Sequence, residues 1–410
     1  MAQSNATLTA KKLLPILLTQ AARPVIGGQA VIEGVMMRSP KSFAVAVRRP
    51  DDTIVVREEG WLSFSERLPF LKWPLLRGAT MLVESMANGI SALNFSAEQA
   101  MEGEELEQQK QQKAEADKQL AEGSTEAVPA PSNAPVTTSS GELQERTEEE
   151  SKATKIALIG TMATGMLMAI ALFKFAPHAA TWGIGELLAT PDGKTALPMD
   201  GVAFHLIDGA IKMTIFVSYI LLISLMPDVK RLFMYHGAEH MSVHTWEAEQ
   251  DLNVENTMPQ STAHPRCGTS LILLVISTSV LVFAAVIPFL PKVSDTGWMQ
   301  AAFTFVVKIP LMLPIAGVAY ELQRLAAKYP SNLVVRAFIA PGMLLQRLTT
   351  RQPTEKETEV ALTALRKTVW RERWVAEQEE QGAEVIPLHK RTSADLEVFA
   401  NFAEVEAKVA

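Results

Sequence analysis

The chain has 410 residues, 48% of them hydrophobic, with a formal charge of −7 and one cysteine, Cys267. That length accommodates two or three compact units, and a lone thiol excludes an intrachain disulfide and fits a reducing compartment. The acidity is local: residues 101–150 hold thirteen Asp/Glu against four Lys/Arg, a net of −9, which leaves about +2 for the rest. The net charge therefore points to no nucleic-acid or acidic partner.

Residues 1–24 lack a convincing cleavage site after their short, interrupted apolar run and read as an interfacial segment. Residues 25–60 read as a small β unit, with Ala30–Arg38, Ser42–Arg49 and Thr53–Glu59 as strands punctuated by Pro40 and Pro50. Residues 61–100 include one long helix from Pro74, with small residues at Gly78, Gly89, Ser91 and Ala92 and polar interruptions at Arg77, Glu84 and Asn88. That mixture predicts a helix lying on or partly in a membrane. Residues 101–155 are too polar and charged to repay the entropy of ordering and read as a disordered acidic linker, helical at most at its start.

Four apolar runs follow within residues 156–350: Ile156–Phe173, Phe204–Met226, Cys267–Pro291 and Trp298–Tyr320. Each is long enough to cross a bilayer. The second contains Asp208 and Lys212, which in lipid must pair or face a polar cavity, and the fourth carries Lys308 beside Pro310 and Pro314. Lys152, Lys155, Lys230, Arg231, Arg266, Arg324, Lys328 and Arg336 cluster on one side of these spans. By the positive-inside rule both termini and the loop 228–267 are cytoplasmic. Residues 351–382 read as an amphipathic helix whose start, Thr354 with Glu357, has capping-box spacing. Residues 383–410 read as a flexible tail. The fold class expected is thus an α-helical polytopic membrane protein of about four spans, with a small N-terminal β unit and membrane-proximal amphipathic helices.

The loop contains YHGAEHMSVHTWEAE and, fifteen residues on, HPRCGTS. Four of the seven histidines (His236, His240, His244, His264) and Cys267 fall here. On a helix His236, Glu239, His240 and His244 form one stripe. His236–His240 is an H-x-x-E-H string, in which two imidazoles bind a metal and the adjacent carboxylate handles a proton. A third ligand would come from His264, Cys267 or Glu321. A bland reading competes, in which the histidines only cap the helix and bond carbonyls. Glu33 and Arg77 are expected to pair between the β unit and its following helix.

GGQAVIEGVMMRSP, PLLRGATMLVESMANGISAL, YHGAEHMSVHTWEA, VENTMPQSTAHPRCGTS, YELQRLAAKY and PGMLLQRLTTRQPTEKETEVALTAL together resemble, in order, the YqhQ-like bacterial membrane proteins. That family is of unknown function and is described as predicted metal-dependent enzymes. The resemblance runs from Ile26 to Lys367 without the acidic linker. It marks Glu33, Arg38, His236, Glu239, His240, His264, Arg266, Cys267 and Glu321. Met241 stands where the family usually has a basic residue.

The expected protein lies in the bacterial inner membrane, with the lipid bilayer and other membrane proteins as partners and no nucleic acid. Its metal site, for Zn²⁺ or another divalent ion, would use His236, His240, His264, Cys267 and Glu321, with Glu239 as the catalytic base of a hydrolase acting near the membrane surface. A non-enzymatic scaffold or adaptor, and an ion transporter built on Asp208 and Lys212, are the other readings.

Overall fold

The structure is a computed structural model that describes residues 24–61, 63–122, 160–161, 163–189, 195–293, 297–329, 331–382 and 396–409. The expected interfacial segment up to residue 23 and the acidic stretch 123–155 lie outside the described residues. The chain divides into two compact units.

The first unit comprises residues 1–104, 226–271 and 320–410. Its centre is an antiparallel sheet of β1 (Gly27–Val31), β2 (Gly34–Arg38), β3 (Ser42–Arg48), β4 (Ile54–Gly60) and β5 (Glu397–Phe399), in chain order. The run Ala30–Arg38, expected as one strand, is two: Val31 pairs Gly34, and the chain reverses at Ile32–Glu33 with Glu33 left-handed at φ 52°. Two β-rich halves separated by a polar residue cannot be told from one continuous strand by alternation alone.

Every residue of β3 is buried because both faces of the sheet are covered. Phe43, Val45 and Val47 face one side, where they pack with Ala92 and Phe95 of α1 (Leu76–Glu122). Ala46, with Val35, Met37, Ile54 and Val56, faces the other. There it meets helices developed further below: α4 (Pro227–Glu247), through Tyr235, Ala238 and Val243, and α8 (Glu355–Glu380), through Val360, Leu362, Leu365 and Val369. At roughly 1.5–3 kcal/mol for each fully buried large aliphatic side chain, this two-sided core dominates the unit's stability. Arg371 of α8 forms a buried ion pair with Glu58 of β4 at 3.2 Å.

α1 continues well past Ala100, through residue 122, so the start of the acidic stretch is helical. The tail is not loose in its last part: Phe399 of β5 and Phe402 and Val405 of α9 (Phe402–Lys408) are buried in the core. Residues 383–395 lie outside the described residues. α8 begins with the capping box expected at Thr354 and Glu357.

The second unit comprises residues 105–225 and 272–319. Among the described residues four helices are long and apolar enough to cross a membrane: α2 (Ala163–Leu187), α3 (Val202–Ile223), α5, whose apolar run is Gly268–Phe289, and α6, with the run Ala302–Lys328. The first does not end at Lys174 as its charge predicts. The helix passes through that residue in a π-turn, Ala171–Phe175, and continues to Leu187. α2 and α3 meet edge to face through Phe173, Phe216 and Tyr219. α5 and α6 share a cluster of Phe283, Ile287 and Ile315. Many apolar side chains point outward, Leu222 at 68% and Leu281 at 61% exposure among them.

Candidate metal centre

The polar stripe lies on α4, whose first helical residue is Pro227, where a missing N–H is harmless. Residues 224–226 separate α4 from α3, so the histidine helix is an element of its own. Its second half is buried almost all round. Gly237 explains how another strand of chain crosses it: a Cβ there would lie 2.1 Å from the Arg351 carbonyl oxygen. Arg351 also donates its N–H to the Phe233 carbonyl at 2.9 Å. This crossing follows α7 (Leu333–Thr349) and carries the carbonyl of Thr349 over the ring of His236.

Two backbone carbonyls then orient the rings. His236 donates from Nδ1 to Thr349 O at 2.7 Å, and His240 from Nδ1 to Thr262 O at 2.6 Å. A neutral imidazole that donates from Nδ1 keeps its lone pair on Nε2, as metal-bound histidines commonly do. Nε2 of His236 lies 3.2 Å from Cys267 Sγ. Among the described residues no hydrogen bond reaches the buried Nε2 of His240, whose nearest carboxylate oxygen, Oε2 of Glu239, stands 3.4 Å away, and His240 is 1% exposed. The ligating atoms of His236, His240 and Cys267 all lie within 4.8 Å of one another. Tetrahedral zinc with Zn–N of about 2.05 Å and Zn–S of about 2.3 Å sets N and S roughly 3.6 Å apart. The His236–Cys267 pair therefore needs to open by only a few tenths of an ångström.

Electrostatics favour an ionised sulfur. Burial opposes ionisation of Cys267, but His236 and His240 outweigh it and hold the thiol well below its ordinary range. Cys267 also immediately precedes α5, whose N-terminal dipole favours a thiolate. Burial likewise opposes a charge on His240, yet Glu239 and Cys267 push its pKa up to about 9. With Nδ1 committed to Thr262, the charge-bearing proton sits on Nε2. A proton and a metal ion thus compete for the same lone pair, facing the same sulfur.

The segment carrying Cys267 is fixed by two buried glutamines. Gln346 accepts from His264 N at 2.7 Å and donates to His264 O at 2.8 Å and Ser270 Oγ at 2.6 Å. Gln323 donates to Cys267 O at 2.8 Å. Thr269 Oγ1 lies 3.0 Å from Cys267 Sγ.

His264, expected among the ligands, belongs to a second group with His244 and Glu247. Its Nδ1 accepts from Arg266 N–H at 3.3 Å, so its proton sits on Nε2, directed at Glu247 at 3.4 Å. His244 donates from Nε2 to Ala263 O at 2.9 Å, and Arg266 holds the Glu247 carboxylate. Burial lowers the pKa of His264 to about 4. This second group satisfies itself with hydrogen bonds and offers a metal no free lone pair on His264. The rings of His240 and His264 are nonetheless neighbours, 5.8 Å apart at their centroids.

Glu321 is held by Arg77 in a bidentate pair, with both contacts at 2.5 Å, and stands in neither group. Arg77 is thereby unavailable to Glu33, which pairs instead with Arg231 at 2.6 Å and accepts from Tyr235 Oη at 3.3 Å. Glu239, the expected base, is 6% exposed, and its Oε2 lies 3.4 Å from His240 Nε2. Its side chain packs on Gly28 of β1, where an added Cβ would sit 2.6 Å from its Cγ. Sequence reasoning missed Thr349 and Thr262, whose contributions are carbonyls that any residue supplies. It also missed Gln346 and Gln323; the signal available was an amide side chain inside an apolar helix.

The chain matches the family model described as a protein of unknown function (DUF1385) over residues 73–371. It is 27% identical over 348 residues to the uncharacterized protein YqhQ of Bacillus subtilis (strain 168), covering 83% of this chain and 90% of that relative. No solved structure matches it. The chain belongs to the DUF1385 family, and is YqhQ-like.

Proposed function

We propose that the protein is an integral membrane protein that binds a divalent transition metal, Zn²⁺ by the chemistry of its donors, through His236, His240 and Cys267. The observation that carries this reading is the convergence of two imidazoles, each held at Nδ1 by a backbone carbonyl, on one sulfur, with all three ligand atoms within 4.8 Å of one another. Two imidazoles and a thiolate are a catalytic-type zinc set, because three protein ligands leave a fourth position open. A closed structural site would use four.

The open position supports the hydrolytic reading. A bound Lewis acid would polarise a carbonyl or phosphoryl group and make water a better nucleophile at neutral pH. Glu239, beside His240 and outside the trio, would accept and return a proton. Thr349 and Thr262 keep both rings in the ligating tautomer. The site's chemistry would take place on the side of the membrane rich in Lys and Arg, the cytoplasmic face of a bacterial inner membrane, with both termini on that side. Ester or amide substrates presented at the bilayer surface fit this location.

Elemental analysis of the purified protein tests the reading. About one zinc per chain is expected, lost in His236→Ala, His240→Ala and Cys267→Ala and retained in Glu239→Gln. Glu239→Gln should also abolish zinc-dependent cleavage across a panel of esters and peptides. A metal-free wild-type protein overturns the metal site; full metal with cleavage unaffected by Glu239→Gln overturns the role of Glu239 and favours a scaffold.

A further inference from the structure

A second polar cluster lies in the apolar helices of the second unit. On α3, Asp208 accepts from Lys212 at 3.1 Å through Oδ2, while its Oδ1 is buried without a hydrogen-bond partner among the described residues. One turn earlier, Nε2 of His205 is likewise buried and unpartnered. Asp208 and His205 are 6% and 3% exposed. Lys308 of α6, also buried, has its amine 5.0 Å from the centre of the Phe283 ring. Lys174 of α2 lies over Phe305 at 5.2 Å and sits in the π-turn Ala171–Phe175. π-turns inside helices recur at functional sites. His178 stacks edge to face on Phe204 at 5.0 Å. These groups lie within electrostatic reach of one another: Lys308, Asp208, His178 and Lys212 all act on His205, and Lys174, Asp208 and Lys212 on Lys308.

Charge counting identifies what is unusual here. Three amines lie within electrostatic reach of one carboxylate, and among the described residues only Lys212 is paired with it. A structural ion pair needs one amine, and a further ammonium without a paired carboxylate is unfavourable inside an apolar helix. The surplus is relieved when an amine gives up its proton, and the unpartnered Oδ1 of Asp208 is an acceptor with nothing to accept. Each unpartnered atom is enclosed, and a proton is the ligand that needs no further volume.

We propose that His205, Asp208, Lys212 and Lys308 form a proton-exchange site through which the protein moves protons across the membrane. In the exchange, the N–H bond of the Lys308 ammonium breaks and an O–H bond forms on Asp208, the proton passing through intervening water. This leaves a neutral amine and a neutral carboxyl. Uptake of a proton by the amine from one face and release from Asp208 to the other completes the net transfer of one proton, with no redox partner. His205 hands the proton on, and Lys174 and His178 border the path. The inference rests on the membrane placement proposed above and not on the metal.

The test uses the full chain reconstituted in phospholipid vesicles containing a trapped pH-sensitive dye, with a potassium gradient and valinomycin setting the voltage. Flotation of the vesicles first establishes insertion. Proton flux above that of protein-free vesicles is expected, falling to the protein-free level in Asp208→Asn and reduced in Lys308→Met, without dependence on chloride or phosphate. If Asp208→Asn fails to reconstitute, His205→Gln carries the test and should slow the flux. The proposal is overturned by an inserted wild-type protein that passes no protons. Flux unchanged in Asp208→Asn or His205→Gln, or flux that follows chloride or phosphate, overturns it equally. A chain that does not float with the vesicles overturns the membrane placement and this proposal with it.

Discussion

Gln346→Leu separates placement from ligation. Gln346 touches no ligating atom, yet its amide holds the backbone N–H and C=O of His264 and the hydroxyl of Ser270, all in a fully buried setting. Leucine is close in size and offers none of these partners. The His264 carbonyl still accepts from Cys267 N at 3.2 Å, so the groups truly orphaned are His264 N–H and Ser270 Oγ. An unsatisfied buried polar group costs about 1–3 kcal/mol, so the loss should be roughly 2–6 kcal/mol for the pair. Cys267 is three residues from His264, and its position follows from the same anchor. Outer-shell losses of this kind lower metal affinity by about 10–100-fold. Chelator competition for zinc in detergent, alongside denaturant melting of the metal-free protein, reads both quantities. Unchanged zinc affinity together with unchanged stability would refute the reasoning that this amide sets the geometry of the sulfur.

Gly28→Ala should displace the Glu239 side chain, since the new methyl would lie 2.6 Å from Cγ of Glu239 and 2.8 Å from the Met36 carbonyl oxygen; zinc content should persist while any Glu239-dependent cleavage falls. Arg371→Met leaves Glu58 charged and buried, which should cost about 3–5 kcal/mol in a denaturant titration. Glu33 is governed chiefly by burial, which raises its pKa above 4.5 despite Arg231 and Tyr235. A raised carboxyl contributes stability that is complete below 4.5 and is lost as pH rises through the folded-state value. Glu33→Gln should therefore flatten the fall in melting temperature over that window; an unaltered pH profile would count against it.

The spacing of His236, Glu239 and His240 was enough to place them on one helix, and four apolar runs were enough to find four long helices, because both are local periodicities. Strand alternation in Ser42–Arg49 likewise survives in β3, where both faces are covered. β5 was illegible for the opposite reason: three residues, Glu397–Phe399, carry no period, and their partner in β4 lies more than three hundred residues away. Glu321 has the right chemistry for a ligand, but the pairing that occupies it comes from Arg77, 244 residues earlier. The choice between Cys267 and His264 depends on which ring nitrogen carries the proton. That is decided by the carbonyls of Thr349 and Thr262 and the N–H of Arg266, and backbone groups leave no mark in a sequence.

The central claim is that one sulfur and two imidazole nitrogens meet at a single metal ion. X-ray absorption spectroscopy of the zinc-loaded protein measures this directly. One sulfur at about 2.3 Å and two imidazole nitrogens at about 2.0–2.1 Å are expected, with the sulfur shell absent in Cys267→Ala. A zinc spectrum with only oxygen and nitrogen neighbours, or one unaltered by Cys267→Ala, would contradict the account.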